Sequence, residues 1–282
     1  MFQKRLTTTN KYIDNINYHI DFIKNTREIF KMKKYIVLLL VAFLAVIFAI
    51  PIFFTFIYSF KNFEKGFKEL LSNCFPFYTA FWNSVIYTSI ILIFQILIII
   101  PTAFAFMELK TKLVNFIFVF YMILMMMPLQ VTILPTYIGL RDLNLLDTRY
   151  SIIIPMIFSP MYVVLMRQYL NNINTSIIDA LRLETNSIIH IITSGVIPQV
   201  KPCILATTIL SISESWNILE QPMLFIKDEK LMPLTVFIHN IQNYGHEITI
   251  ASSVISIIPM IIAYNFFKDY LVKQIITGET YE

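Results

Sequence analysis

The sequence predicts an all-α polytopic membrane protein with six transmembrane helices. Two observations carry that prediction. The chain is 57% hydrophobic with a mean hydropathy of +0.67, and only 14% of it is charged, against about 25% in a soluble domain. The charges that remain leave six intervals that approach or exceed the roughly 20 apolar residues a crossing helix needs. This composition excludes a soluble globular class. A net charge of +4 is too small to point to nucleic acid as a partner.

The spans are justified in chain order by their charge-free intervals. Residues 35–60 form the first. Residues 70–107 are charge-free but punctuated by Ser72, Asn73, Pro76 and Asn83, which places the second span at 83–106. Residues 113–140 are the third, interrupted by Pro128 and Pro135. Residues 150–166 are the fourth, short and broken by Pro155 and Pro160. Residues 203–226 are the fifth and carry Glu214 and Glu220. Residues 248–267 are the sixth. The run 188–200 is too short, and flanked by the wrong residues, for a seventh.

Orientation follows from the Lys and Arg distribution. With both ends inside, fifteen basic residues lie on the cytoplasmic side and seven outside. Without the N-terminal tail each side holds seven, so Lys31, Lys33 and Lys34 beside the first span decide the matter. The chain then divides into a cytoplasmic tail 1–34, a six-helix membrane domain 35–272 and a cytoplasmic tail 273–282. Residues 13–30 read either as an amphipathic surface helix or as a loosely attached tail, and Met32 is an alternative start. No secretory signal is expected, because the first span is too long and no small-residue cleavage site follows it. Cys203 lies in a span and Cys74 in a short external loop, so no disulfide framework is expected.

The loop 171–202 is the most informative segment. Ser176 is a plausible N-cap, with Asp179 three residues on. Ile177, Ala180, Leu181 and Glu184 share one helical face, and Ile178, Arg182 and Thr185 another. This predicts a helix of about ten residues on the membrane surface, turned by Asn186 and Ser187. An apolar run to Pro198 follows, and Pro202 opens the fifth span, so two prolines make a stiff corner. An ordinary amphipathic connector would read the same way.

The loop resembles the "EAA" loop of permease subunits of ATP-binding-cassette (ABC) importers, roughly E-A-A-x-x-x-G-A followed by an apolar run ending in L-P. Asp179, Ala180 and Leu181 fall on E-A-A, Glu184 on the acidic residue before the glycine, and Pro198 on the final proline. Thr185 stands at the glycine, Asn186 at the following alanine, Asp179 at the glutamate and Leu181 at the second alanine. A threonine is poorly suited to positive φ, so the helix is expected to run further or to dock more weakly. The likeness extends along most of the chain and points to the second-permease group of maltose and multiple-sugar systems. Asn83-Ser84 resembles its "NS" opening and Ala103–Phe106 its "AYAF" segment. Met127–Gln130 with Leu134-Pro135, and Gly139–Leu146, match further segments. Ser215-Trp216-Asn217 with Pro222–Phe225 resembles "SWNxxxxPLLF", and Ser253–Pro259 resembles the last span.

The resemblance implies a type I ABC importer permease architecture with a cytoplasmic coupling helix, set in a bacterial cytoplasmic membrane. It implies a second permease subunit as heterodimer partner, two ABC ATPases and an extracellular sugar-binding protein, besides membrane lipid. It places ATPase docking on Asp179, Ala180, Leu181, Arg182, Leu183, Glu184 and Thr185. No cofactor, metal or catalytic residue is expected of this chain. ATP and Mg would belong to the partner, since no G-x-x-x-x-G-K phosphate loop occurs here.

Polar groups inside the spans are costly and suggest function. Asn83, Gln95, Gln130, Glu214, Trp216 and Asn217 are candidates to line a translocation path. Glu214 reads either as an acceptor for a sugar hydroxyl or as a structural pair with Asn217 or a partner chain. Trp216 reads as a stacking platform or as core. Glu220 is expected near the outer interface. Met122–Met127 suits adaptable packing; a gate is the other reading. His190, His239 and His246 lack ligand company. A stand-alone secondary transporter or channel is the alternative class, disfavoured by five glycines and no repeat. A membrane-embedded enzyme would need a cluster of His, Asp or Glu.

Overall fold

The computed structural model describes residues 34–54, 57, 63–73, 75–241 and 246–276. The expectations for the N-terminal tail, for Cys74 and for residues 277–282 lie outside them. The chain divides into two compact units, residues 1–61 and 62–282. In the first, α1 (Lys34–Phe54) is one helix of 21 residues, long and apolar enough to cross a membrane.

Every regular element among the described residues of the second unit is helical. α2 (Phe63–Asn73) is a short amphipathic helix whose Leu70 is fully buried. It lies close against the last helix. A Cβ on Gly66 would come within 2.7 Å of the Glu247 carbonyl oxygen, so only glycine fits there. Lys65 Nζ meets Glu247 Oε2 at 3.0 Å. That hydrogen bond and the nearby charge raise the Lys65 pKa.

α3 (Phe75–Glu108) has 34 residues, roughly 50 Å of helix. It begins eight residues before the predicted start. Pro76 is tolerated in the first turn, where its missing N–H has no intrahelical partner, and Phe77 and Ala80 are buried. α3 is the central post: the helices Tyr150–Ile157, Pro160–Leu170, Ile197–Trp216 and Leu234–Asn240 all pack on it.

α4 (Lys112–Met125) and α5 (Leu129–Asp142) meet at a bend of 108°. Thr111 starts α4 by accepting the Val114 N–H. Pro128 starts α5 with extended backbone and pushes the preceding residue out of the helical region. α6 (Tyr150–Ile157) and α7 (Pro160–Leu170) are parted in the same way by Pro160, the first residue of α7. Among the described residues five helices are long and apolar enough to cross, or six if the bent pair α4–α5 is one span.

The region after α8 (Ser176–Glu184) departs most from the expectation. No corner forms at Pro198 and Pro202. α9 (Ile188–His190), a π-helical turn (Ile191–Val196) and α10 (Ile197–Trp216) run on as one helix of 29 residues. Pro198 cannot donate to the residue four before it, and its ring crowds that turn. The π turn widens the helix just ahead of it, the Ile197 N–H reaching back to Ile192 O. The Gln199 side-chain amide donates to Gly195 O at 2.8 Å. The run 188–200, read as too short for a span, is the first part of this one. The fifth span also ends earlier than predicted: Glu220 lies on a separate short helix, α11 (Glu220–Phe225). A 3-10 turn (Glu229–Leu231), α12 (Leu234–Asn240) and α13 (His246–Ile276) complete the unit.

Among the described residues, most buried apolar side chains fall into three groups. One joins the second half of α3 to α7, α8 and the start of the 188–216 helix, through Phe104, Tyr162, Met166, Ile178 and Val200. Another joins α2, α3, α12 and α13 around Phe77, Trp216 and Leu234. The third packs Tyr87 and Ile91 against Ile152, Ile153 and Ile226.

Candidate coupling site and the polar seam

α8 is set down on the helix that follows it. Ile178 is 1% exposed, and Leu181 is half-buried against the core. Their seat is Gly195, within the π turn. A Cβ there would lie 2.7 Å from Leu181 Cδ1 and 3.7 Å from Ile178 Cγ1. The buried stripe therefore runs Ile178, Leu181, Thr185, the i, i+3, i+7 spacing of one helical face. This corrects the predicted faces: Leu181 points inward, while Ile177, Ala180, Leu183 and Glu184 are exposed, Leu183 to 91%.

Both ends of α8 differ from the expected capping. Ser176 is already helical; the Asn174 side chain accepts its N–H at 2.9 Å. Thr185 ends the helix with φ −147° and ψ 146°, an extended conformation open to any residue. Its N–H donates to Leu181 O, and its hydroxyl accepts the Ser187 N–H at 3.1 Å. The helix does not run on, and no positive φ is required where the family glycine would stand. Arg182 reaches sideways. It donates to Asp179 Oδ1 at 3.2 Å and to Glu108 Oε2 at the end of α3.

The polar residues of the spans form a seam between helices. Asn83 Nδ2 donates to Lys230 O at 2.8 Å and Met232 O at 3.1 Å, Ser84 Oγ accepts the Leu234 N–H, and Tyr87 donates to Leu231 O. Together they pin the segment 230–234 to α3. Gln95 Nε2 donates to Met156 O at 3.0 Å. In an unbroken helix that carbonyl would receive the N–H of residue 160, but Pro160 has none. Gln95 supplies the missing donor, while its own oxygen accepts from Ser211 Oγ. Tyr162 donates to Glu214 Oε2 at 2.7 Å.

Trp216, 5% exposed, donates from its indole to Ser256 O and packs edge-on against Phe81. Asn83, Gln95 and Trp216 are thus buried within the chain. Glu214, Gln130 and Asn217 are exposed on it; Asn217 caps its own helix through Ser213 O. Among the described residues no group of three or more His, Cys, Asp and Glu is placed to hold a metal ion.

Four residues escaped the sequence reading, the first of them Gly195 beneath α8. Tyr162 and Glu108 are far in sequence from the groups they meet, and no local signal marks them. Asp147 has φ 58°, which Asp and Asn tolerate better than most residues. Its N–H donates to Phe225 O, and its carboxylate accepts the Lys227 and Asp228 N–H groups at 2.7 and 2.8 Å. Those hydrogen bonds hold its pKa below the ordinary carboxylate value.

The family described as "Binding-protein-dependent transport system inner membrane component" matches residues 95–277, a stretch that contains α8, Gly195 and Glu214. The chain belongs to that family. It is 30% identical over 167 residues to the arabinooligosaccharides transport system permease protein AraQ of Bacillus subtilis, a match spanning 58% of this chain and 59% of that one. It is 27% identical to the AraQ of Halalkalibacterium halodurans over 72% of this chain and 74% of that one. Against the sn-glycerol-3-phosphate transport system permease protein UgpE of Brucella abortus the identity is 24%, over 70% and 72%. A solved structure of a bacterial ABC transporter involved in the import of the acidic polysaccharide alginate superposes with a TM-score of 0.64 at 26% identity, covering 73% of this chain and 78% of that chain. Permease family, helical fold and multi-pass character therefore agree with one another.

Proposed function

We propose that this chain is a permease subunit of an ATP-driven importer that moves a sugar or oligosaccharide across the bacterial cytoplasmic membrane by alternating access. The observation that carries the mechanism is α8. It is anchored inward by Ile178 and Leu181 and presents Ile177 and Leu183 outward. Ile188 and Ile189 just beyond it are also exposed, so α8 and the start of the next helix leave several apolar side chains uncovered around acidic Glu184. Such uncovered apolar side chains suit a protein partner.

In this reading the partner is one of two ABC ATPases, which bind and hydrolyse Mg-ATP; the permease itself is not an enzyme. Closure of the ATPase pair pushes α8, and Gly195 passes the push to the long helix 188–216. The α8 end faces the cytoplasm with both termini, as the basic residues before α1 favour. A second permease subunit completes a heterodimer, and an extracellular binding protein delivers the solute. The path runs past the exposed Glu214, Gln130 and Asn217, with Asn83, Gln95 and Trp216 behind them. The oligosaccharide and glycerol-phosphate names of the relatives support a hydroxyl-rich solute.

The test is purification of the tagged chain from its own host. The wild type brings down an ABC ATPase and takes up labelled arabinotriose or maltotriose with ATP. Leu183→Asp loses the ATPase at least tenfold, as placing a charge in an apolar contact costs about 1.4 kcal/mol or more. Equal retention of the ATPase by the variant would refute docking through this face.

A further inference from the structure

α8 has a second attachment, to a helix other than its chain neighbour. Glu108 is the last residue of α3 and lies 74 positions from Arg182. A carboxylate at a helix C-terminus faces the negative end of the helix dipole, so a cation there is favoured twice, by the carboxylate and by the free carbonyls. Arg182 provides it. Asp179, one turn earlier on α8, holds the other guanidinium nitrogen at 3.2 Å, which fixes the side chain along its own helix and aims it at α3. Arg182 is thus turned toward its own subunit and away from the exposed Ile177 and Leu183.

Two posts therefore meet α8. The Gly195 seat joins it to the helix 188–216, and the Glu108–Arg182 pair joins it to α3, on which α6, α7 and α10 pack. A helix held only at Gly195 could pivot about that point; a second tie to α3 removes the pivot.

We propose that Arg182 is a positioning residue: its ion pair with Glu108 fixes the angle of α8, so that a push on α8 moves α3 together with the helix 188–216. This rests on the docking reading above. Without the tie the ATPase pair closes without driving the bundle, and hydrolysis is released from restraint.

The test uses the assembled transporter in nanodiscs, with ATP hydrolysis measured in the absence of sugar and binding protein. The variants are Arg182→Glu, Glu108→Arg and the pair combined. Each single reversal raises basal hydrolysis up to about fivefold, the scale of an exposed ion pair, while the ATPase subunits stay bound. The double reversal restores the pair with exchanged signs and returns hydrolysis to within about twofold of wild type. Unchanged basal hydrolysis in both single variants would overturn the proposal, as would a double variant no better than the singles. Loss of the ATPase from Arg182→Glu that Glu108→Arg does not repair would make Arg182 a docking contact instead. The Leu183→Asp experiment judges docking separately, so failure of the tie and failure of docking are distinguishable.

Discussion

Gly195→Ala is the sharpest probe of how α8 is seated. The added methyl would lie 2.7 Å from Leu181 Cδ1, about 1 Å inside the usual carbon–carbon contact of roughly 3.5–4.0 Å. The obstacle is the tip of a flexible side chain, so Leu181 can rotate away, but Ile178 closes the other side at 3.7 Å. Overpacking of this kind costs about 1–3 kcal/mol, and the flexible neighbour puts this site near the lower bound. At about 1.4 kcal/mol per tenfold, 1 kcal/mol weakens ATPase retention about fivefold if α8 must be seated to dock.

Leu181→Ala removes the opposing atoms. Alone it is destabilising, but combined with Gly195→Ala it makes room for the new methyl. The double variant should then recover part of the loss, giving a non-additivity of about 0.5–1 kcal/mol. The assay is ATPase co-purification, with thermal unfolding in detergent as a control for folding. Strictly additive effects, or a Gly195→Ala variant identical to wild type, would refute the seat.

Two further outcomes follow from the seam and the loops. Gln95→Leu leaves the Met156 carbonyl without a donor and Ser211 without its acceptor, and should lower thermal stability by about 1–3 kcal/mol; Gln95→Glu keeps the acceptor but not the amide donor and should not repair the loss. Asp147 has a depressed pKa, so its contribution to stability is present above its unfolded value of about 3.9 and is lost as pH falls through the folded value. Asp147→Asn keeps the left-handed backbone and an acceptor oxygen but cannot ionise. Unfolding midpoints of wild type and variant should therefore differ at pH 7 and converge below about pH 4, and parallel curves over that range would refute the assignment.

Much of the fold was legible because a hydrocarbon environment leaves a coarse signature. The charge-free intervals overlap each candidate span, although the fifth begins at Ile188 rather than at 203. Pro128 and Pro160 stand at the two breaks, whereas Pro135 and Pro155, also expected to interrupt, lie inside α5 and α6. Helix ends were not legible. The first turns of α3 are held by Trp216, Leu234 and Ile248, contacts that no local pattern reveals. The π turn was hidden for a similar reason: Pro198 and Pro202 suit a corner as well as a widened helix, and packing against α8 decides between them. The site was legible as a segment but not as a geometry. The acidic residues, the alanine and the proline spacing singled out residues 171–202, but only the part before Ile188 is a connection; the rest belongs to the long helix Ile188–Trp216. Which face of α8 is buried depends on Gly195, and the role of Arg182 depends on Glu108. Gln95 and Glu214 stood out as polar groups among apolar ones, but their partners, Met156 and Tyr162, lie on helices whose placement the sequence does not state.

The π turn also sets a phase. An α-helix advances about 100° per residue, and a π turn stores one residue more than an α turn. Everything from Ile197 onward is therefore rotated relative to an uninterrupted coil. Excising a single residue between 191 and 196 would leave that phase nearly unchanged, whereas straightening the turn into α-helix at unchanged length would spin the far half of the rod by about a quarter-turn or more. Glu214 would swing off Tyr162 and Ser211 off Gln95, although neither pair had been touched.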